Sequence, residues 1–188
     1  MAERSRTAAP PPTARLFVAL WPGARTRSAL AAWRDACCWP PPAKPVPDAK
    51  LHLTLHFIGA VPRTRVAEIA QGLVMRCPAF ELELAHVAAW PRGLVVLEPA
   101  TVPDALHALH AGLADALRAL DLRVERRRLR PHVTLARDAP GARWPAMHPS
   151  LRWRASGAAL VESLPDGRYR VLSRLAAARA MRAGMIRV

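Results

Sequence analysis

Two tetrapeptides carry the residue types of acid–base chemistry at matched spacing: His52-Leu53-Thr54-Leu55 and His132-Val133-Thr134-Leu135. With seven His and seven Thr in the chain, composition alone gives about 0.3 His-x-Thr pairs. Both copies have an aliphatic residue at the middle position and Leu after Thr, and they start 80 residues apart. Each lies in a stretch that alternates like a strand, where residues i and i+2 share a face. His52 and Thr54 therefore project together, as do His132 and Thr134, while Leu53, Leu55, Val133 and Leu135 turn to the core. Two imidazoles near neutral pH can serve as general base and general acid. Two hydroxyls can donate hydrogen bonds to the non-bridging oxygens of a phosphoryl group. No nucleophilic side chain is required, and neither motif has a carboxylate cluster beside it that would hold a metal. One such motif alone would most simply be a buried histidine beside a β-former. A matched pair argues for an internal duplication in which each half supplies one strand to a shared site.

The elements that must position these residues follow from periodicity and breakers. Arg15–Trp21 is a compact apolar strand stopped by Pro22-Gly23. Residues 24–39 carry Leu30, Trp33 and Cys37 at helical spacing, and Pro40-Pro41-Pro42 ends that helix. After the first motif strand (Leu51–Ile58, closed by Gly59), residues 62–76 read as a helix through Val66, Ile69 and Leu73. Phe80–Leu84 alternates as a strand, Leu94–Leu97 is a short buried strand, and residues 104–120 give the clearest helix, with Leu106, Leu109, Leu113 and Leu117. A basic connector, Glu125–Arg130, leads to the second motif strand, Pro131–Ala136. Trp153–Glu162 and Arg168–Leu175 read as paired strands around the Pro165-Asp166-Gly167 turn.

At 188 residues and 52% apolar composition, the chain can build one packed domain. No apolar run reaches the roughly 18 residues of a membrane span, and the polar, Pro-rich start has no secretory h-region. The expectation is a cytoplasmic protein with a flexible tail at 1–14, a single domain at 15–176 and a C-terminal extension at 177–188. Cys37, Cys38 and Cys77 form neither a disulfide framework nor a zinc spacing. The formal charge of +14, from 28 basic and 14 acidic residues, favours polyanions such as RNA. An Arg-, Ala- and Pro-rich composition produces much of that charge without a functional reason. Only Lys44 and Lys50 among the basic residues are lysine.

The paired His-x-Thr-x motifs resemble the two-histidine (2H) phosphoesterase superfamily, and more specifically the bacterial RNA 2′,3′-cyclic phosphodiesterases, also called 2′-5′ RNA ligases. The resemblance extends from Arg15-Leu-Phe-Val-Ala-Leu-Trp-Pro22 through both motif strands to the closing hairpin Val161–Leu172. It implies an α+β fold that is bilobal: two pseudo-duplicated lobes, each with an antiparallel sheet and flanking helices, around a central cleft. It implies metal-independent hydrolysis of a 2′,3′-cyclic phosphate to a 2′-phosphomonoester, with no cofactor. By that pattern His52 is the proton donor, His132 the proton acceptor, and Thr54 and Thr134 hold the phosphate. Arg137 matches a family arginine near the phosphate, although strict alternation from His132 turns it to the opposite face. The implied partners are RNA ends, tRNA fragments among them, met by a monomer with no membrane association.

Further candidate substrate contacts are Phe57, Arg130 and His56. Phe57 matches a family aromatic that could stack on a base, but alternation assigns it to the core. His56 shares the face of His52 and Thr54 by alternation and would line the cleft or be solvated. Arg130 shares parity with His132 and could meet the RNA backbone. His107 and His110, at i and i+3 on a helix, are read as surface or packing residues; His86 and His148 have no supporting context. Trp21, Trp90 and Trp153 follow no usable pattern. Competing readings are a phosphodiesterase for a small cyclic nucleotide, a non-catalytic RNA-binding protein on the same scaffold, and a metal-dependent hydrolase built on His52, His56 and His132. The intact pair of His-Thr sets argues against mere binding, which needs no acid and base.

Overall fold

A computed structural model describes residues 12–73, 79–125, 127–147 and 149–176. Cys77, His148, the start of the expected tail and the 177–188 extension lie outside the described residues. The elements in chain order are β1 (Thr13–Leu20), α1 (Ala24–Asp35), β2 (Lys44–Pro45), β3 (Leu53–Pro62), α2 (Val66–Gly72), β4 (Phe80–Trp90), β5 (Leu94–Pro99), α3 (Asp104–Ala119), β6 (Val133–Arg137), β7 (Leu151–Ala155), β8 (Gly157–Ser163) and β9 (Tyr169–Ala176). The fold is α+β: an antiparallel sheet with few helices.

The strands form one nine-stranded sheet in the order β7-β4-β5-β6-β3-β1-β8-β9, with β2 added beside β6. Two separate sheets were expected. Instead the halves β7-β4-β5-β6 and β3-β1-β8-β9 are continuous, joined between β3 and β6 through the single pair Leu53–Val133. The two motif strands are therefore central neighbours.

Each strand's alternation sorts its residues between two faces. Leu16, Val18 and Leu20 of β1 join the main core, together with Leu53 and Leu55 of β3 and Val133 and Leu135 of β6. That core also takes Leu30 of α1, Ile69 of α2, and Leu106, Leu109, Leu113 and Leu117 of α3. In α3 these leucines recur every three or four residues, so one stripe is buried; Asp104 in the first turn and Arg118 in the last suit the helix dipole. On the other face of β1, Phe17 and Ala19 form a small cluster with Ala159 and Val161, bordered by Trp21, Tyr169 and Val171.

Several boundaries differ from the sequence reading; β3 runs past Gly59 to Pro62, and β4 runs past Leu84 to Trp90. β1 starts at Thr13, because Thr13 and Ala14 pair with Pro62 and Val61. α1 ends at Asp35, so Cys37 and Cys38 lie beyond it; Cys37 is buried and Cys38 exposed. The strand expected over Trp153–Glu162 is two strands, and its break falls at Ser156, before Gly157, whose φ of 144° suits a residue without Cβ. The first of them, β7, pairs with β4 at one edge of the sheet; the second, β8, pairs with β1 and β9 in the other half.

Arg34 anchors the loop that leads into the first motif. Its side chain is only 8% exposed and donates to Asp35 Oδ1 at 2.8 Å, to the Val46 carbonyl at 2.5 Å and to Asp48 Oδ1 at 2.6 Å. A buried cation with three acceptors ties α1 to residues 46–48. Arg34→Ala is expected to cost about 1.5–3 kcal/mol, the range for hydrogen bonds to charged groups. Thermal unfolding would show it as a drop of several degrees, and an unchanged Tm would refute the anchoring role. Among the described residues, no helix is long and apolar enough to cross a membrane.

Candidate active site

The Leu53–Val133 pair sets the geometry of the site. In an antiparallel register it places His52 across from Thr134 and Thr54 across from His132. Leu53, Leu55, Val133 and Leu135 point into the core, so the two histidines and two threonines share the opposite face. All four are half-buried. One cavity of about 470 Å³ is lined by Thr54 and His132, and another of about 180 Å³ by His52 and Thr134. The cavities flank the four-residue cluster on its two sides.

Both motif strands carry a bulge at the same place, the Leu after Thr. Against β1, Thr54 lies opposite Ala19 and His56 opposite Val18, so Leu55 is skipped. Against β5, Thr134 lies opposite Val96 and Ala136 opposite Val95, so Leu135 is skipped. An unpaired residue reverses the alternation beyond it. The result corrects three sequence expectations. Phe57 was assigned to the core, but it shares the open face with Phe17, their ring centroids 6.4 Å apart, and is 52% exposed. His56 was assigned to the face of His52, but it packs against α3. There it is 3% exposed, its ring stacks on His110 at 4.0 Å, and its Nε2–H donates to the His110 carbonyl at 2.9 Å. Arg137 was out of phase with His132, but the bulge returns it to the side of Thr134, where both line the smaller cavity. His56 reaches only the floor of the larger cavity, which removes it from a metal set with His52 and His132. Among the described residues no group of three or more His, Cys, Asp or Glu side chains is placed to hold a metal ion.

The two imidazoles are held alike. His52 Nδ1–H donates to the Lys50 carbonyl at 2.6 Å, and His132 Nδ1–H donates to the Arg130 carbonyl at 2.7 Å. Each acceptor lies two residues upstream. With Nδ1 committed to a carbonyl, each neutral ring keeps its lone pair on Nε2. His52 Nε2 accepts from the Thr54 hydroxyl at 3.0 Å. Rings enclose His52: Trp21 stacks at 5.6 Å, Phe17 lies at 5.0 Å, and Tyr169 presents its edge at 5.5 Å. Burial pushes its pKa down to about 4; the Lys50 carbonyl opposes that, and the charges of His132 and Arg137 add to it. Burial lowers the pKa of His132 as well, against the pull of the Arg130 carbonyl and Glu98. A cation over Trp21 would gain some cation–π energy, but lost hydration dominates at His52.

Arg130 lies on the His132 side of the cleft. Its guanidinium sits 4.1 Å from the Trp90 ring, and Trp90 packs against His132 at 4.4 Å. The smaller cavity adds Lys44, Lys50 and Tyr169 to His52, Thr134 and Arg137. The two lysines of the chain thus meet at one pocket, with Lys50 Nζ 5.5 Å from the Tyr169 ring and Lys44 paired to Asp138 at 2.9 Å. Sequence reasoning passed over Phe17, Trp21, Trp90, Tyr169, Lys44 and Lys50. For Phe17 and Trp21 a signal existed: with Ala19 they make the non-core face of β1 aromatic. Trp90 and Tyr169 reach the site through strand pairing alone, which no local pattern encodes.

Residues 22–167 match the 2′-5′ RNA ligase superfamily. The RNA 2′,3′-cyclic phosphodiesterase of Escherichia coli (strain K12) is 35% identical over 145 residues, spanning 69% of this chain and 80% of the relative. The protein of that name from Aeropyrum pernix is 32% identical over 116 residues, spanning 59% of this chain and 66% of the relative. Among solved structures, E. coli LigT complexed with 3′-AMP superposes with a TM-score of 0.78 at 28% identity, over 89% of this chain and 100% of that one.

Proposed function

The chain belongs to the 2′-5′ RNA ligase superfamily, and on that footing we propose that it hydrolyses a terminal 2′,3′-cyclic phosphate of RNA to a 2′-phosphomonoester. The observation that carries this is the pair of imidazoles, each fixed at Nδ1 by a carbonyl and each accompanied by a threonine across the Leu53–Val133 pair. In this reading His132 Nε2 removes a proton from water as the water oxygen bonds to phosphorus. The P–O3′ bond breaks, and His52 delivers its Nε2 proton to the leaving O3′. The Thr54 and Thr134 hydroxyls donate to the non-bridging oxygens, where negative charge grows. Arg137 supplies positive charge beside Thr134. One proton enters at His132 and one leaves from His52, so the pair resets by exchange with solvent. No step needs a metal. With an RNA 5′-hydroxyl in place of water, the same groups in the same roles would form a 2′-5′ linkage: His132 takes the 5′-hydroxyl proton as its oxygen bonds to phosphorus, the P–O3′ bond breaks, and His52 protonates O3′.

The matching bulges after Thr54 and Thr134 support the view that the halves of the domain at 15–176 arose by duplication. Positions 57 and 137 then correspond, and the exchange of an aromatic for a cation makes one end of the cleft stacking and the other basic. The test is to incubate the protein with an RNA ending in a 2′,3′-cyclic phosphate, with EDTA present, and identify the product. A 2′-phosphate is expected. A 3′-phosphate would reverse the leaving group, and loss of activity on chelation would refute the metal-free mechanism.

A further inference from the structure

The larger cavity does not end at the catalytic residues. Phe57, Glu125 and Arg127 line it and also line a neighbouring groove of about 840 Å³ that adds Ile58, Gly59, Arg123 and Val124. The two therefore adjoin along those three residues and together lead from the His132 side past Phe57. Their far wall includes Arg123, Arg127 and Arg128, which lie between α3 and β6 and are all exposed. Glu125 also faces the groove, but both its oxygens pair with Arg127, at 2.8 and 3.0 Å. Among the described residues, no carboxylate pairs with Arg123 or Arg128. An apolar ring, half exposed at the junction and held there by a strand bulge, stands beside cations that lack acidic partners. This is the surface of single-stranded nucleic acid recognition: a stacking platform followed by a positive track.

We infer that this groove seats the nucleotides adjoining the cyclic-phosphate end, so that the substrate is an oligonucleotide and not a mononucleotide. The inference rests on the RNA-end reading above and specifies its substrate. Arg123 and Arg128 contact backbone phosphates, and Phe57 stacks on a base at the mouth of the groove.

Binding of reaction products tests it without requiring turnover. The probes are a labelled hexanucleotide ending in a 2′-phosphate and the corresponding nucleoside 2′-phosphate alone, titrated at several salt concentrations. Wild type should hold the hexanucleotide about tenfold or more tighter than the mononucleotide, with affinity falling as salt rises. Arg123→Ala/Arg128→Ala should lose most of that advantage and flatten the log–log salt slope by about 1.4, roughly 0.7 per lost phosphate contact. Its mononucleotide affinity should stay within about twofold, which also reports that the variant is folded. Equal wild-type affinity for both lengths would overturn the inference, as would a double variant weakened equally toward both. A protein that binds the longer product tightly yet leaves a cyclic phosphate uncut would refute the hydrolysis proposal and leave the groove standing.

Discussion

On the proposed mechanism, His52→Ala and His132→Ala should each lower kcat on a cyclic-phosphate RNA by about 10²–10⁴-fold, the span of general acid–base help. Each variant removes one end of a single proton path: one leaves the water without a base, the other leaves O3′ to depart as an alkoxide. Because both groups act in one transition state, the double variant should lose far less than the product of the two single losses. Thr54→Ala and Thr134→Ala should cost less, since each removes one hydrogen bond to the phosphate and spares the proton path. Thr54 has a second part, its hydroxyl bonding His52 Nε2 in the free protein, so Thr54→Ser should retain more activity than Thr54→Ala. Steady-state kinetics on a purified cyclic-phosphate oligonucleotide reads all of these. A double variant with near-wild-type turnover would place the chemistry elsewhere.

How far this site was legible in the sequence depends on what strand periodicity can encode. His52, Thr54, His132 and Thr134 follow from type, spacing and repetition, and the core leucines between them follow from alternation. The strands and helices were found nearly in place because their apolar periods are strong, α3 above all. Alternation failed at the bulges, which insert one unpaired residue and invert everything after it. Leu55 and Leu135 carry no Gly or Pro to announce the change, so His56, Phe57 and Arg137 were all given the wrong face. The sequence did hint at one of these errors: Arg137 matched a family arginine near the phosphate while strand parity pointed it away, and a bulge is the simplest way to satisfy both. Pairing between distant strands was also hidden. Nothing local says that the segment after Ser156 crosses to the other half of the sheet, or that Trp90 ends beside His132.

The enclosure of His52 has a kinetic consequence. The proposed mechanism needs one proton on the histidine pair, one ring neutral and the other an imidazolium. In the free protein both pKa values are pushed below histidine's ordinary 6.5, that of His52 to about 4, chiefly by burial. The singly protonated pair is then most abundant below pH 6.5, between two macroscopic values that belong to the pair. The phosphodiester does not titrate in this range, so kcat/KM should peak on the acid side of 6.5. Above it, kcat/KM should fall about tenfold per pH unit as the last proton leaves. In the proposed mechanism bound substrate changes the balance: its negative charge would lie between the rings and raise both values. The kcat profile should therefore sit at higher pH than the kcat/KM profile, and product binding should take up a proton near neutrality and tighten as pH drops. Opening the aromatic enclosure with Trp21→Ala admits water to His52 and should raise chiefly the lower of the two macroscopic values, moving the acid limb of kcat/KM upward. Rate–pH profiles from pH 4.5 to 8.5 for wild type and Trp21→Ala decide this. A wild-type kcat/KM that stayed level between pH 6.5 and 8.5 would mean that the free site keeps its proton despite the rings around His52.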